Sequence, residues 1–134
     1  NSALVVRGDD GLDELTTSTT STVHIVGGGS VRTVTLDPRD LGIDRVPLEE
    51  LCGGDAEINA TVARTLLSGQ KGPVRDAVLL NAGAAIAAFN GVGDDLESAI
   101  SAGMTAAAAA IDSGAGAELL HKWAALTAEL ADQA

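Results

Sequence analysis

Leu4-Val5-Val6-Arg7-Gly8-Asp9-Asp10-Gly11-Leu12-Asp13-Glu14 is the stretch against which the rest of the chain is read. Its first half is a short, apolar, β-branched run, which reads as a buried strand. Its second half is a glycine-broken loop with four carboxylates in six residues. Open α/β sheets bind ligands at the carboxyl ends of their strands. A hard cation such as Mg2+ takes oxygen ligands, commonly one or two carboxylates completed by waters and substrate phosphates. Asp13 and Glu14 are adjacent, so a regular strand would send them to opposite faces. A turn after Gly11 would let both converge on one ion. Two readings stand side by side on these residues. One is a cation site built on Asp13 and Glu14. The other is a solvated acidic loop in which Asp10 or Asp13 caps a turn.

Composition narrows the function classes. The chain has 134 residues, room for one domain with a modest core. Apolar residues make up 46%, but alanine dominates them and the only aromatic residues are Phe89 and Trp123, so packing must rest on close approach of small side chains. The net charge is −11 and the eight basic residues are scattered. Nucleic-acid binding is disfavoured, because phosphate backbones need a basic footprint. An acidic membrane surface would also repel the chain. The single Cys52 excludes an internal disulfide and a multi-cysteine zinc site, and fits a thiol in a reducing cytoplasm. No apolar run approaches the roughly 18 residues of a membrane span, and no signal-peptide pattern is present.

Taken in order, residues 3–8 form the buried strand, apolar on both faces and so suited to cover on both. The hydroxyl run Thr16-Thr17-Ser18-Thr19-Thr20-Ser21-Thr22 leads into a strand over 21–26, with Val23 and Ile25 on one face and His24 and Val26 on the other. Gly27-Gly28-Gly29-Ser30 supplies a hairpin turn, and 31–36 returns as the partner. His24 is read as a hairpin residue. Asp37-Pro38-Arg39-Asp40 starts a single turn that Gly42 stops. A second short turn covers 47–51. Asp55 caps a helix to about Ser68, with Ile58, Val62, Thr65 and Leu66 as its buried stripe. Pro73 starts a helix to about Phe89, with Ala77, Leu80, Ala84 and Ala88 on one stripe. Residues 82–88 are nearly all small, so a neighbouring backbone can pack close. Asp94, with Glu97 as capping-box partner, opens a helix to about Asp112 with Leu96, Ile100, Met104, Ala107 and Ile111 inward. Ser113 caps a last helix with Leu119, Leu120, Trp123, Leu126 and Leu130 inward, Trp123 being a core residue.

One strand suited to burial on both faces, one hairpin and four helices are too few for a complete α/β domain, because a parallel-type strand needs neighbours on both sides. The chain is expected to be part of something larger.

Several segments together resemble the C-terminal part of anthranilate phosphoribosyltransferase. They are Gly8-Asp9-Asp10-Gly11-Leu12-Asp13-Glu14-Leu15, Leu36-Asp37-Pro38-Arg39-Asp40-Leu41-Gly42, Gly53-Gly54-Asp55-Ala56-Glu57-Ile58-Asn59-Ala60 and the run from Lys71 through Asn81 to Ala85. Ala110-Ile111-Asp112-Ser113-Gly114-Ala115 looks like the start of that family's last helix. They occur in the family's order and cover nearly the whole chain.

The resemblance implies the C-terminal portion, residues 1–134, of an α/β domain built on a mostly parallel sheet. It implies transfer of phosphoribose from phosphoribosyl pyrophosphate to the amine of anthranilate, in tryptophan biosynthesis, with Mg2+ as cofactor. The family's Gly-Leu-Asp-Glu motif binds Mg2+ and matches Asp13 and Glu14; Asp9 and Asp10 are not carried over. The family's Gly-Thr-Gly-Gly-Asp pyrophosphate loop, its Lys-His-Gly-Asn-Arg segment and its helical domain have no counterpart here, so this chain alone is expected to be inactive. Charge agrees: phosphoribosyl pyrophosphate is strongly anionic, and the chain has no basic cluster. Lys71-Gly72-Pro73-Val74-Arg75-Asp76 reads as structural rather than as an anion contact, and Asn59 and Asn81 as packing residues or helix-to-loop hydrogen bonds rather than catalytic ones. A homo-oligomer is expected from the uncovered apolar strand at 3–8. A related phosphoribosyltransferase or nucleoside phosphorylase of the same fold, or a non-enzymatic oligomerising α/β module, remain as alternatives.

Overall fold

The computed structural model describes residues 2–133. Three strands, β1 (Ser2–Gly8), β2 (Ser21–Gly27) and β3 (Ser30–Leu36), form an antiparallel sheet in the order β1-β2-β3. Four helices follow: α1 (Ala56–Leu67), α2 (Pro73–Asn90), α3 (Leu96–Asp112) and α4 (Ala115–Ala131). The α/β class, the hairpin and the four helices are as the sequence predicts. Residues up to Cys52 together with Lys71–Ala107 make one compact unit, and Gly53–Gln70 together with the residues from Ala108 onward make another.

In the first unit, β2 is the central strand and alternation sets its faces. Val23 and Ile25 are buried, while His24 and Val26 on the other face are half-buried. The hairpin closes through Gly28 and Gly29, both at positive φ (57° and 77°), the combination that a two-residue turn with matching twist demands. Buried Val23, Ile25 and Leu36 meet Leu15, Ile43, Leu80, Ala84, Val92, Leu96 and Ile100 in one core.

The strand at 3–8 departs from expectation. β1 pairs antiparallel with β2, Leu4 opposite Ile25 and Val6 opposite Val23. Only its inner face, Leu4 and Val6, packs on the core; Val5 on the outer face is 57% exposed. A continuous apolar run does not state how many of its faces are covered. Here the long loop 9–20 reverses the chain and makes β1 an edge strand among the described residues.

The short turns are as read. Asp37 caps a 3-10 turn over Pro38–Leu41, closed by Gly42 at φ 75°, and another covers Leu48–Leu51. In α2, Leu80, Gly83, Ala84 and Ala87 are buried, while Ala85 faces solvent. The α3 stripe holds too: Leu96, Ile100 and Ile111 are buried. Its cap is Asp95 rather than Asp94. The Asp95 carboxylate accepts the Ser98 amide (3.0 Å) and the Ser98 hydroxyl (2.7 Å), so the helix starts one residue later.

Glycine lets α2 and α3 cross closely. A Cβ on Gly103 would lie 2.2 Å from the Gly83 carbonyl oxygen, and one on Gly83 would lie 2.8 Å from the Met104 amide nitrogen. These are backbone atoms, which cannot swing aside. The small-residue run of α2 therefore serves as the sequence predicts.

In the second unit, Asp55 caps α1 through the Ile58 amide (2.9 Å), and α1 packs against α4. The stripes predicted to be buried here are open. Ile58 is 53% exposed, Trp123 68% and Leu126 52%, so Trp123 is a surface residue and not a core one. Helical periodicity names the face that an element can bury; it does not supply the partner, and two helices cannot enclose each other. Gly114 at φ 79°, not Ser113, precedes α4.

Gly103→Ala should lower stability by about 1–3 kcal/mol, because the added methyl must push apart two backbones. Urea unfolding reads this. An unchanged midpoint would mean that the crossing is looser than the distances state.

Candidate metal centre

The acidic loop lies between β1 and β2, and its four carboxylates divide into two pairs. Asp9 accepts the Thr20 hydroxyl (2.5 Å) and the Thr22 hydroxyl (3.2 Å), while its amide donates to the Thr20 carbonyl (2.9 Å). Asp10 accepts the hydroxyls of Thr16 (2.6 Å) and Ser18, and the Leu12 amide (3.2 Å). Asp10 is thus the acid that caps a turn, as the solvated-loop alternative expects of Asp10 or Asp13. The hydroxyl run, which looks like low complexity, is what holds the loop. Gly8 leaves room beneath it: a Cβ there would sit 2.4 Å from Asp10 Oδ1, so the carboxylate would have to shift.

Asp13 and Glu14 form the other pair. Both are exposed, and among the described residues neither carboxylate accepts a hydrogen bond or joins an ion pair. Glu14 lines a shallow groove of about 420 Å3 with Leu51, Val74, Ala77, Val78, Asn81 and Ala82; Asp13 is not among its lining residues. No group of three or more His, Cys, Asp or Glu side chains able to hold a metal occurs among the described residues. Two neighbouring hard oxygen donors suit Mg2+ where waters and a phosphate complete the shell, and do not suit a metal that requires an all-protein cage.

The next residue, Leu15, is only 1% exposed and anchors the loop in the core. Asn81 of α2 holds its backbone from both sides. Asn81 Oδ1 accepts the Leu15 amide (3.0 Å), and Asn81 Nδ2 donates to the Leu15 carbonyl (2.9 Å) and to the Ala77 carbonyl (3.1 Å). This is the helix-to-loop bonding expected of Asn81. The Val46 amide fixes the Thr17 carbonyl (3.1 Å). Asn59 stays local, bonding the Gly54 amide and carbonyl at 2.9 Å each.

The other candidates fall to structural roles. His24 Nδ1 bonds Thr33 Oγ1 across the hairpin (2.9 Å). Arg75 is 2% exposed, so the segment 71–76 does not present its guanidinium to solvent. Burial pushes the neighbouring Asp76 carboxyl up, against the pull of Arg75 and Lys71, and Asp44 adds to the rise. Sequence reasoning missed a cluster at Asp37. Arg39 Nη2 (2.6 Å) and Arg45 Nη2 (2.8 Å) both reach its Oδ2. The Arg39 hydrogen bond, with Arg45 behind it, holds this carboxyl well below the ordinary value.

Burial raises Asp10, but the bonds from Ser18, Thr16 and the Leu12 amide outweigh it and leave the carboxyl lowered. A lowered folded pKa means stability that is complete above the unfolded value and lost as pH falls through the folded one. Asp10, Asp37 and Asp95 share this sign. Melting temperature should therefore hold from neutral pH to about pH 5 and drop below about pH 4. Asp10→Asn should make that drop smaller; a drop of equal size would remove Asp10 from the account.

The model of the glycosyl transferase family, a/b domain, matches residues 1–117. A curated anthranilate phosphoribosyltransferase from Rhodococcus jostii is 70% identical over 98% of this chain and 36% of its own length. The crystal structure of the Thermus thermophilus anthranilate phosphoribosyltransferase matches with a TM-score of 0.76 and 39% identity, over 92% of this chain and 35% of that one. A Saccharomyces cerevisiae anthranilate phosphoribosyltransferase in complex with PRPP and Mg shares the fold at 24% identity and a TM-score of 0.69, over 88% of this chain and 33% of that one. The chain thus spans about a third of the length of the curated relatives it matches. It belongs to the glycosyl transferase family and carries that family's α/β domain over most of its length.

Proposed function

We propose that these 134 residues are the C-terminal part of an anthranilate phosphoribosyltransferase's α/β domain, and that they contribute the acidic, metal-holding side of its phosphoribosyl pyrophosphate site. The observation that carries the reading is the 70% identity to the Rhodococcus jostii enzyme over nearly the whole chain. The loop geometry supports it: Asp9 and Asp10 are held by hydroxyls, while Asp13 and Glu14 remain open to a ligand. The PRPP and Mg in the Saccharomyces cerevisiae neighbour guide the choice of ligand. Mg2+, when bound, supplies charge neutralisation and alignment of a departing pyrophosphate. Asp13 and Glu14 would hold it at the loop surface, and the core-anchored Leu15 fixes where they stand. With net charge −11 and scattered cations, a metal bridge is the route by which this chain would meet a polyanion. Anthranilate as the acceptor, a cytoplasmic setting consistent with free Cys52 and a homo-oligomeric assembly belong to the same reading. No helix among the described residues is long and apolar enough to cross a membrane.

Asp13→Asn with Glu14→Gln in the full-length gene product should raise the Mg2+ concentration for half-maximal rate and lower turnover. A Mg2+ titration identical to that of the unmodified enzyme would refute the metal role. The 134 residues on their own should form no N-phosphoribosyl anthranilate at any anthranilate concentration, and detectable product would overturn the partial-site reading.

A further inference from the structure

Asn81 stands in an unusual relation to the two open carboxylates. It lies on α2, far away in sequence, and grips both polar groups of the Leu15 backbone at 3.0 and 2.9 Å. Leu15 follows Glu14 directly, so the amide that Asn81 holds is the one that joins these two residues. Asn81 also lines the groove that Glu14 lines. Its third bond, to the Ala77 carbonyl one turn back, sets the orientation of the carboxamide. A side-chain amide with its oxygen on an N–H and its nitrogen on a C=O mimics a strand partner, and fixes the backbone in position and in rotation. The loop needs such a hold at this point. Asp9 and Asp10 are fixed by their own hydroxyl donors, but the carboxylates of Asp13 and Glu14 have no partner among the described residues.

We propose that Asn81 is a positioning residue for the metal site. By fixing the Glu14–Leu15 peptide, it sets the direction in which Glu14, and through it Asp13, meets the ion. The proposal rests on the metal role given to Asp13 and Glu14. Groups that orient metal ligands without touching the metal change metal affinity by about 10- to 100-fold when lost. A residue that served packing alone would change stability and leave metal affinity where it was.

The test uses the full-length gene product and compares Asn81→Leu, similar in size but without hydrogen bonds, with Ile100→Val. Ile100 is fully buried in α3 and lies outside the loop, so its truncation lowers stability without touching the loop's hydrogen bonds. Asn81→Ser is read in the same way if Asn81→Leu does not fold. Two quantities are measured: binding of Mn2+ with inorganic pyrophosphate, from the free-ion paramagnetic resonance signal, and hydrogen exchange at the Leu15 amide. The Asn81 variant should weaken Mn2+ binding about tenfold and speed Leu15 exchange by more than its loss of stability accounts for, while Ile100→Val should leave Mn2+ binding near its original value and speed Leu15 exchange only as far as its loss of stability requires. Equal Mn2+ binding in all three proteins overturns the proposal, provided that Asp13→Asn with Glu14→Gln does weaken it. If that double variant also binds Mn2+ normally, the metal role itself fails, and the positioning role falls with it.

Discussion

The two hydrogen bonds between the Asn81 carboxamide and the Leu15 backbone tie the acidic loop to α2. Bonds of this kind contribute about 0.5–1.5 kcal/mol each, but breaking one side leaves a part-buried amide or carbonyl unsatisfied at about 1–3 kcal/mol. The loop position is therefore set by where α2 lies. That in turn is set by the glycine crossing, where Gly83 and Gly103 bring α2 and α3 to backbone contact. A continuous set of rigid contacts runs from α3 through α2 to the residue beside Glu14. Close helix packing thus has a consequence at a solvent-exposed loop that neither glycine touches.

Four carboxylates crowded into six residues of a chain with net charge −11 repel one another. The structure separates them by giving Asp9 and Asp10 hydroxyl donors drawn from Thr16, Ser18, Thr20 and Thr22. Hydroxyls suit this role, because they donate without bringing a positive charge that would compete for the loop's field. The same local chemistry leaves Asp13 and Glu14 without donors. One run of hydroxyl residues therefore makes a firm loop and keeps two acids uncommitted.

Much of this was legible in the sequence. Periodicity located four helices and the hairpin, and capping chemistry located their starts to within a residue. The Asp95 cap was displaced because Asp94 and Asp95 are equivalent by type, and only the Ser98 donor distinguishes them. The acidic pair was singled out by residue type and by resemblance, and the structure leaves both carboxylates exposed. The role of the hydroxyl run was not, because a Thr-rich stretch matches a strand as well as it matches donors to a carboxylate. The two-sided burial of β1 and the burial of Trp123 were misread for one physical reason. Apolar pattern records what an element can bury, whereas burial depends on which neighbours reach it, as Val5 and Trp123 show. Asn81 was legible as a hydrogen-bonding residue, but its partner, 66 positions away, was not.

An exposed site is the economical place for such a pair of acids. Two unpartnered carboxylates taken into the core would each carry a desolvation cost of several kcal/mol. Left at the surface, they carry none, and a cation that keeps most of its waters needs no enclosed cage. What exposure sacrifices is geometric definition, since solvated side chains on a free loop sample many directions. A rigid backbone beneath them restores part of it. Leu15 in the core, the Asn81 amide on both its polar groups and the Thr17 carbonyl held by Val46 confine the backbone next to Glu14 while its side chain stays in water. Order is thus placed in the buried peptide groups and charge in the solvent, which is the division of labour that a surface cation site of the kind proposed would need.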